Sequence, residues 1–370
     1  MVEWKKLETC LDFEQPTAYL VKSTEYDDSY DTPVLTAGQS LLLGYTNETD
    51  GVFRASKENP TIIFDDFTTS FHWIDFDFKV KSSAMKMLRP KKDVNFRYVY
   101  YSMCGINFVP GGHQRHWISK YSQFEIPIPS LAEQNRIVGI LDTFTSSIEN
   151  LKQQITQRRK QYEYFRDQLL DLEGKPGVEM KTLGDIMQIV RGASPRPIKN
   201  FITTREDGVN WIKIGDVAPG AKYITCCNEK ITKDGAEKSR FLHVGDFILS
   251  NSMSFGRPYI LKIDGCIHDG WIAMSDFEKY VLPDFLYEYL NSDVVQKYWI
   301  MKANNGGAMT NLNSDIVKET PIRIPSFLEQ QRIVSILDTF ESSIQNLEAQ
   351  LSQREKQYKY YRNKLLTFER

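Results

Sequence analysis

From residue 137 onward the apolar positions step by four and three: Ile137, Leu141, Phe144, Ile148, Leu151 and Ile155, continued by Arg158, Tyr162, Phe165 and Leu169. The rhythm returns at Ile333, Leu337, Phe340, Ile344, Leu347 and Leu351, continued by Arg354, Tyr358, Tyr361 and Leu365. On an α-helix this spacing gathers the apolar side chains into one stripe, the a/d seam of a coiled coil. Neither run contains Pro, and Gly139 is the only Gly in them. Each opens at a Pro-Ser step, with Ser130 or Ser326 followed three residues later by Glu133 or Glu329, the spacing of a capping box. The pattern predicts two helices of about 40 residues, each about 60 Å long. Elsewhere short apolar runs alternate with turns. Thr61–Phe64, Trp211–Ile214 and Asp246–Leu249 predict strands, and Phe285–Trp299 predicts a helix.

The two helical runs are copies. Ile128-Pro-Ser-Leu-Ala-Glu-Gln-Asn-Arg136 recurs 196 residues later as Ile324-Pro-Ser-Phe-Leu-Glu-Gln-Gln-Arg332, and 29 of the 46 positions from Ile128 to Glu173 are identical at that offset. The segments before each helix also begin alike (Val2-Glu-Trp-Lys-Lys-Leu7, Val178-Glu-Met-Lys-Thr-Leu183). They end alike too, with Gly111-Gly112 or Gly306-Gly307 and then a Pro- and Ile-rich strand. Their middles differ. The chain therefore divides into a first globe (1–127), a first helix (128–173), a link (174–177), a second globe (178–323) and a second helix (324–370). The expected fold is α+β: two mixed α/β domains separated by two long antiparallel coiled-coil helices in a cyclic, pseudo-twofold arrangement. Antiparallel pairing follows because the first helix delivers the chain to the second globe, so that residue 370 returns near residue 1. The expected core of the pair is Ile137, Leu141, Phe144, Ile148, Leu151, Ile155 and Tyr162 with Ile333, Leu337, Phe340, Ile344, Leu347, Leu351 and Tyr358. The competing use of such a stripe is oligomerisation.

Composition adds exclusions. No run approaches 18 consecutive apolar residues and no apolar signal region follows Met1, so a cytoplasmic protein without membrane contact is expected. The five cysteines lack metal-ligand spacing and are expected to be buried free thiols. The net charge of −2 conceals strong segregation. Residues 1–77 hold 5 basic and 15 acidic residues, residues 76–97 hold 7 and 2, and residues 187–262 hold 12 and 7. Local excess of base is what a phosphate backbone requires, though a solvated charged face would look the same. No P-loop, GxGxxG or HExxH is present, nor the Asn/Asp-Pro-Pro-Tyr/Phe run that amino-methyltransferases use. His113-x-x-His116 lacks a third ligand, Asp65-Asp66 lacks a downstream Glu-x-Lys, and His268-Asp269 lacks an evident serine partner.

The paired Ile-Pro-Ser-x-x-Glu-Gln-x-Arg-Ile-Val-x-Ile-Leu-Asp openings resemble those of the specificity (S) subunits of type I restriction–modification systems. So do Pro33-Val-Leu-Thr-Ala-Gly38 and Ile62-Ile-Phe-Asp-Asp-Phe67 in the first globe. In the second, Val190-Arg-Gly-Ala-Ser-Pro-Arg-Pro197, Trp211-Ile-Lys-Ile-Gly-Asp216 and Val244-Gly-Asp-Phe-Ile-Leu-Ser250 are similar to that family's target-recognition domains. The resemblance spans essentially the whole chain. It implies a non-catalytic subunit that binds double-stranded DNA, each globe reading one half of a bipartite asymmetric site. The helices would set the spacer and dock two methyltransferase (M) subunits, with motor-nuclease (R) subunits joining for restriction. No cofactor is expected on this chain; S-adenosylmethionine, Mg and ATP would belong to the partners. The alternatives are a protein-binding coiled-coil scaffold, or a nuclease or methyltransferase with an unrecognised site.

For DNA held by both globes, phosphate contacts are expected from basic clusters and base reading from loops. In the first globe Lys79, Lys81, Lys86, Lys91 and Lys92 are the phosphate candidates. Thr68, Thr69, Ser70 and His72 belong to a candidate reading loop, while Phe71 and Trp73 would serve equally well as core. In the second globe Arg191, Ser194, Arg196 and Lys199 share one loop, and Ser252, Ser254 and Arg257 a second. Lys302, Asn304 and Asn305 precede the Gly-Gly turn. Arg and Asn offer bidentate pairing to guanine and adenine.

Overall fold

A computed structural model describes residues 2–369 apart from 39, 113, 219, 252–254 and 304–310. The chain forms two units, Met1–Lys152 with Ala349–Arg370 and Gln153–Glu348. Each comprises one globe and half of each long helix.

The long helices run over Leu131–Leu170 and Phe327–Leu366, 40 residues each. In the first unit Phe144 stacks on Tyr361 at 5.4 Å and Lys152 lies opposite Glu355, so the two helix segments are antiparallel. In the second unit Phe165 stacks on Phe340 at 5.3 Å and Arg159 pairs with Glu348 in the same sense. Ile137, Leu141, Ile155, Ile333 and Leu337 are buried. The other expected core positions (Phe144, Ile148, Leu151, Tyr162, Phe340, Ile344, Leu347, Leu351 and Tyr358) are half-buried. Only half of each expected capping box forms. Ser130 and Ser326 accept the Glu133 and Glu329 amides at 3.4 and 3.3 Å, but the glutamate side chains turn forward to Arg136 and Arg332.

The residue after each glutamate is what fastens globe to helix. Gln134 donates to Pro129 O at 2.9 Å and accepts the Asn95 amide at 2.9 Å. Its copy Gln330 donates to Pro325 O and Tyr280 O, each at 3.0 Å, and accepts the Leu282 amide at 2.8 Å. Both side chains are buried (1% and 0% exposed). A buried, hydrogen-bonded amide is costly to disturb, since each orphaned group loses about 1–3 kcal/mol. The paired amides belong to the starts of short globe helices, Phe96–Met103 capped by the Asn95 side chain and Pro283–Asn291 preceded by Leu282, which offers no side-chain cap.

The like beginnings and ends of the globes are explained by pairing. Glu3–Lys6 forms an antiparallel ribbon with Glu125–Ile128, and Glu179–Thr182 forms one with Pro321–Ile324. Between these ribbons the globes differ. The first carries a four-stranded sheet in the order Leu11–Glu14, Met85–Pro90, Thr61–Asp65, Phe71–Ile74 and a separate three-stranded sheet. The second carries two five-stranded sheets, one centred on Phe247–Ser250 and one on Val209–Ile212. The helix expected across Phe285–Trp299 is two, Pro283–Asn291 and Asp293–Ala303, separated by Ser292.

The cores are continuous with the helices. Ile137 and Leu141 pack with Leu7, Phe64, Tyr98 and Trp117 in the first unit, and Ile333 and Leu337 with Phe247, Phe285, Leu286 and Trp299 in the second. All five cysteines are free, as expected, but only Cys10 and Cys266 are buried; Cys104 and Cys227 are half-buried and Cys226 is exposed. Among the described residues no helix is long and apolar enough to cross a membrane.

Candidate nucleic-acid interface

In the first globe two of the five candidate lysines are structural. Lys79 is 1% exposed; it pairs with Glu48 at 3.1 Å and donates to Asp50 O at 2.6 Å and Gly51 O at 3.2 Å. Gly51 has φ +61°, and a Cβ there would lie 2.5 Å from Ala18 O, so only glycine fits this turn. Burial alone would raise the Glu48 carboxyl, but the Ser23 amide, Lys79 and the Lys22 amide outweigh it and hold its pKa below the ordinary value. Lys86, also 1% exposed, pairs with Asp66 at 3.2 Å and Gln15 Oε1 at 3.1 Å. A buried ammonium needs such partners and cannot also reach a phosphate. Asp66 in turn accepts the Trp117 amide, and Asp65 accepts those of Phe67 and Thr68. The Asp65-Asp66 pair is therefore a core brace and a turn.

Lys81 and Lys92 are exposed. Lys91 is half-exposed, 3.3 Å from Asp12, and donates to Glu8 O at 2.8 Å. The expected reading loop is shorter than its sequence suggests. Phe71–Ile74 is a strand paired with Thr61–Asp65, and Thr68, Thr69 and Ser70 lie in the short connection of that hairpin, residues 66–70. Thr69 is buried (8% exposed) with φ 58°, and the Thr68 and Ser70 hydroxyls bond each other at 2.5 Å. His72 bonds Gly38 O at 3.0 Å, bringing the Thr36–Ser40 loop to the hairpin. Phe71 and Trp73 pack inward. Trp73 meets Phe96 at 5.0 Å, with Arg97 4.6 Å over its ring and bonded onward to Asp142 at 2.9 Å.

In the second globe the candidate residues converge on one acidic residue that sequence reasoning did not select. Arg191 Nε donates to Asp269 O at 3.0 Å and Ser194 Oγ to Asp269 Oδ1 at 2.8 Å. Arg196 Nη2 lies 3.5 Å from Oδ2, and Asn251 Nδ2 donates to Asp269 O at 3.2 Å. Two glycines permit this approach: a Cβ on Gly192 would lie 2.1 Å from His268 O, and one on Gly270 would lie 2.2 Å from the His268 ring. The Ser194 bond leads the effects that hold the Asp269 carboxyl below its ordinary pKa, and burial lowers that of His268. Three loops thus form one constellation with the Arg196 side chain 83% exposed. The only sequence signal for it was the His-Asp pair itself.

Lys199 is exposed nearby, and Arg257 is exposed in a cleft of about 420 Å³ with Phe255, Asn291 and Gln296. Lys302 lies 3.9 Å from Glu319. Ser252, Ser254, Asn304, Asn305 and His113 lie outside the described residues. Ser194 bonds the carboxylate directly, while the His268 ring nitrogens face the Gly270 and Ile214 amides. A nucleophile–base–carboxylate relay needs the imidazole between the other two, so this is not one. Among the described residues no group of three or more His, Cys, Asp or Glu is placed to hold a metal.

The family model for the type I restriction modification DNA specificity domain matches residues 2–158 and 176–355. The chain is 39% identical to the Escherichia coli type I restriction enzyme EcoR124I/EcoR124II specificity subunit, over 99% of this chain and 94% of that one. It is 30% identical to a putative type I specificity subunit of Haemophilus influenzae, over 99% and 96%. The same fold occurs in the crystal structure of a type I restriction–modification S subunit from M. genitalium (TM-score 0.59, 15% identity, 100% of this chain and 97% of that one). It also occurs in a chain from a structural study of type I system assembly and conformational transition (TM-score 0.62, 17% identity, 99% and 96%).

Proposed function

The chain belongs to the family of type I restriction–modification DNA specificity subunits, and we propose that each of its globes reads one half of a bipartite, asymmetric DNA site. It is the non-catalytic, DNA-binding member of a complex whose methylation and cleavage reside on M and R subunits. The observation that carries the proposal is the paired mounting. Gln134 and Gln330 fasten two globes to copies of one helix, each bonding a proline carbonyl and accepting an amide at a globe helix start, while the globes' sheets and surface loops differ. Like mounts with unlike readers suit two unlike half-sites.

In the second globe Arg191, Ser194 and Arg196, held by Asp269, are the proposed base-reading group, and Lys199, Arg257 and Lys302 are further proposed DNA contacts. Bidentate Arg reads guanine, and a carboxylate accepts from the cytosine amino group. In the first globe Thr68, Ser70 and His72 mark the reading turn, and Lys81, Lys91 and Lys92 supply phosphate contacts. Ser252, Ser254, Asn304 and Asn305 remain candidates by sequence. The helices set the spacer and carry two M subunits, whose S-adenosylmethionine supplies the methyl group, while Mg and ATP serve the R subunits. Residues 127, 173, 177 and 323 are the proposed joints, and the cytoplasm, where such a complex meets DNA, is the proposed location.

Mapping modified adenines across the genome of cells carrying the chain with its M subunits tests this. The expected motif has two different short half-sites separated by a fixed number of unspecified bases. A palindromic or uninterrupted motif would overturn the reading.

A further inference from the structure

Because the long helices are copies, each position flanking their apolar seam can be compared with its equivalent 196 residues on. Along one flank Thr143, Ser147, Asn150, Gln154, Gln157 and Gln161 are repeated without change. Along the other, Thr145, Glu149, Lys152, Thr156, Arg159 and Glu163 all change. The two positions on either side of the midpoint reverse their charge: Lys152 answers to Glu348, and Arg159 to Glu355.

The structure uses these reversals. In the first unit Lys152 Nζ lies 3.8 Å from Glu355 Oε1; in the second, Arg159 Nη2 donates to Glu348 Oε1 at 2.5 Å. The seam and the unchanged flank are nearly the same in both helices, so they would accept a second copy of the same helix as readily as its duplicate. The changed flank would not. Two first helices paired in this register would set Lys152 beside Arg159, and two second helices would set Glu348 beside Glu355. Flanking charges select partners in coiled coils, and opposed like charges exclude the wrong ones.

We infer that these four residues are a partner code that directs each long helix to its duplicate in the same chain and away from a second copy of itself. The inference is independent of which DNA is read. Each pair is half-exposed, with side chains between 42% and 61% accessible, and one such pair contributes little alone. Discrimination comes from both pairs changing from attraction to repulsion together.

Full-length variants imitate the rejected pairings. Lys152→Glu with Arg159→Glu places four acids on the flank, as two second helices would; Glu348→Lys with Glu355→Arg places four bases there, as two first helices would. Each double variant should lower the unfolding midpoint by roughly 2–4 °C at low salt, and the deficit should shrink at about 0.5 M salt, where the Debye length is only a few ångströms. Combining all four changes, which restores opposite charges with polarity exchanged, should recover the native midpoint. Double variants that unfold with the native protein would overturn the inference. So would a fourfold variant no more stable than the doubles, and that comparison decides the matter even if one double fails to fold.

Discussion

At the scale of single residues, charge in the sequence was a poor guide to surface. Lys79 and Lys86 stand in the most basic stretch of the first globe, yet both are buried against carboxylates. Their partners Glu48 and Asp66 come from other parts of the chain, and nothing local announces the pairing. Lys86→Ala should leave Asp66 buried without its counter-ion and lower stability by about 3–5 kcal/mol, measured by urea unfolding. The salt dependence of DNA binding by the assembled complex should not change, because no phosphate contact is lost. Arg196→Ala should do the reverse. Stability should hold, while discrimination at one base pair of one half-site falls by about 1–3 kcal/mol, read from competition binding against single-base variants of the site. The second globe's candidate loop was legible as Arg-Gly-Ala-Ser-Pro-Arg, but its organiser was not. Asp269 lies 75 residues beyond Ser194, and only the strand pairing of Gln188–Arg191 with Trp271–Ser275 brings them together.

At the scale of elements, the long helices were the most legible feature, because a seven-residue rhythm needs only local sequence and duplication repeats the evidence. Their attachment to the globes was not legible. Asp142 and Tyr162 recur as Asp338 and Tyr358, yet the globes meet this frame with opposite chemistry. In the first unit Arg97 and Tyr101 donate to Asp142. In the second, the repeat's Tyr162 donates at 2.5 Å to Glu288, 4% exposed on the globe helix. Burial raises the Glu288 pKa above its ordinary 4.5, more than the Tyr162 bond, Lys222 and Arg166 lower it. The folded state therefore holds this proton more tightly than the unfolded chain. The associated stability is complete below pH 4.5 and is lost as pH rises through the elevated native value. Glu288→Gln should flatten that decline in urea-unfolding free energies taken from acid to neutral pH; an unchanged slope would assign it elsewhere. The helices' proposed measuring role has its own test. Four helix-forming residues inserted after Leu170, where the first long helix ends, should lengthen the spacer in the methylated motif while leaving both half-sites intact. An unaltered spacer would refute that role.

At the scale of the whole molecule, the sequence disclosed the order of parts and their duplication but not the sheets within the globes. Strands as short as Lys79–Val80 and Ile202–Thr203 carry no alternation to detect. The parallel pairings of Val34 with Lys79 and Trp211 with Cys266 join residues more than forty positions apart. What the duplication does establish is a pair of equivalent mounts, and from these follows the central claim that the two globes read independently. The most direct measurement replaces residues 178–323 with the corresponding globe of a relative of different specificity and maps the methylated sites of the assembled complex. The account predicts that one half-site changes to the relative's while the other half-site stays as it was. A change in both half-sites would contradict it.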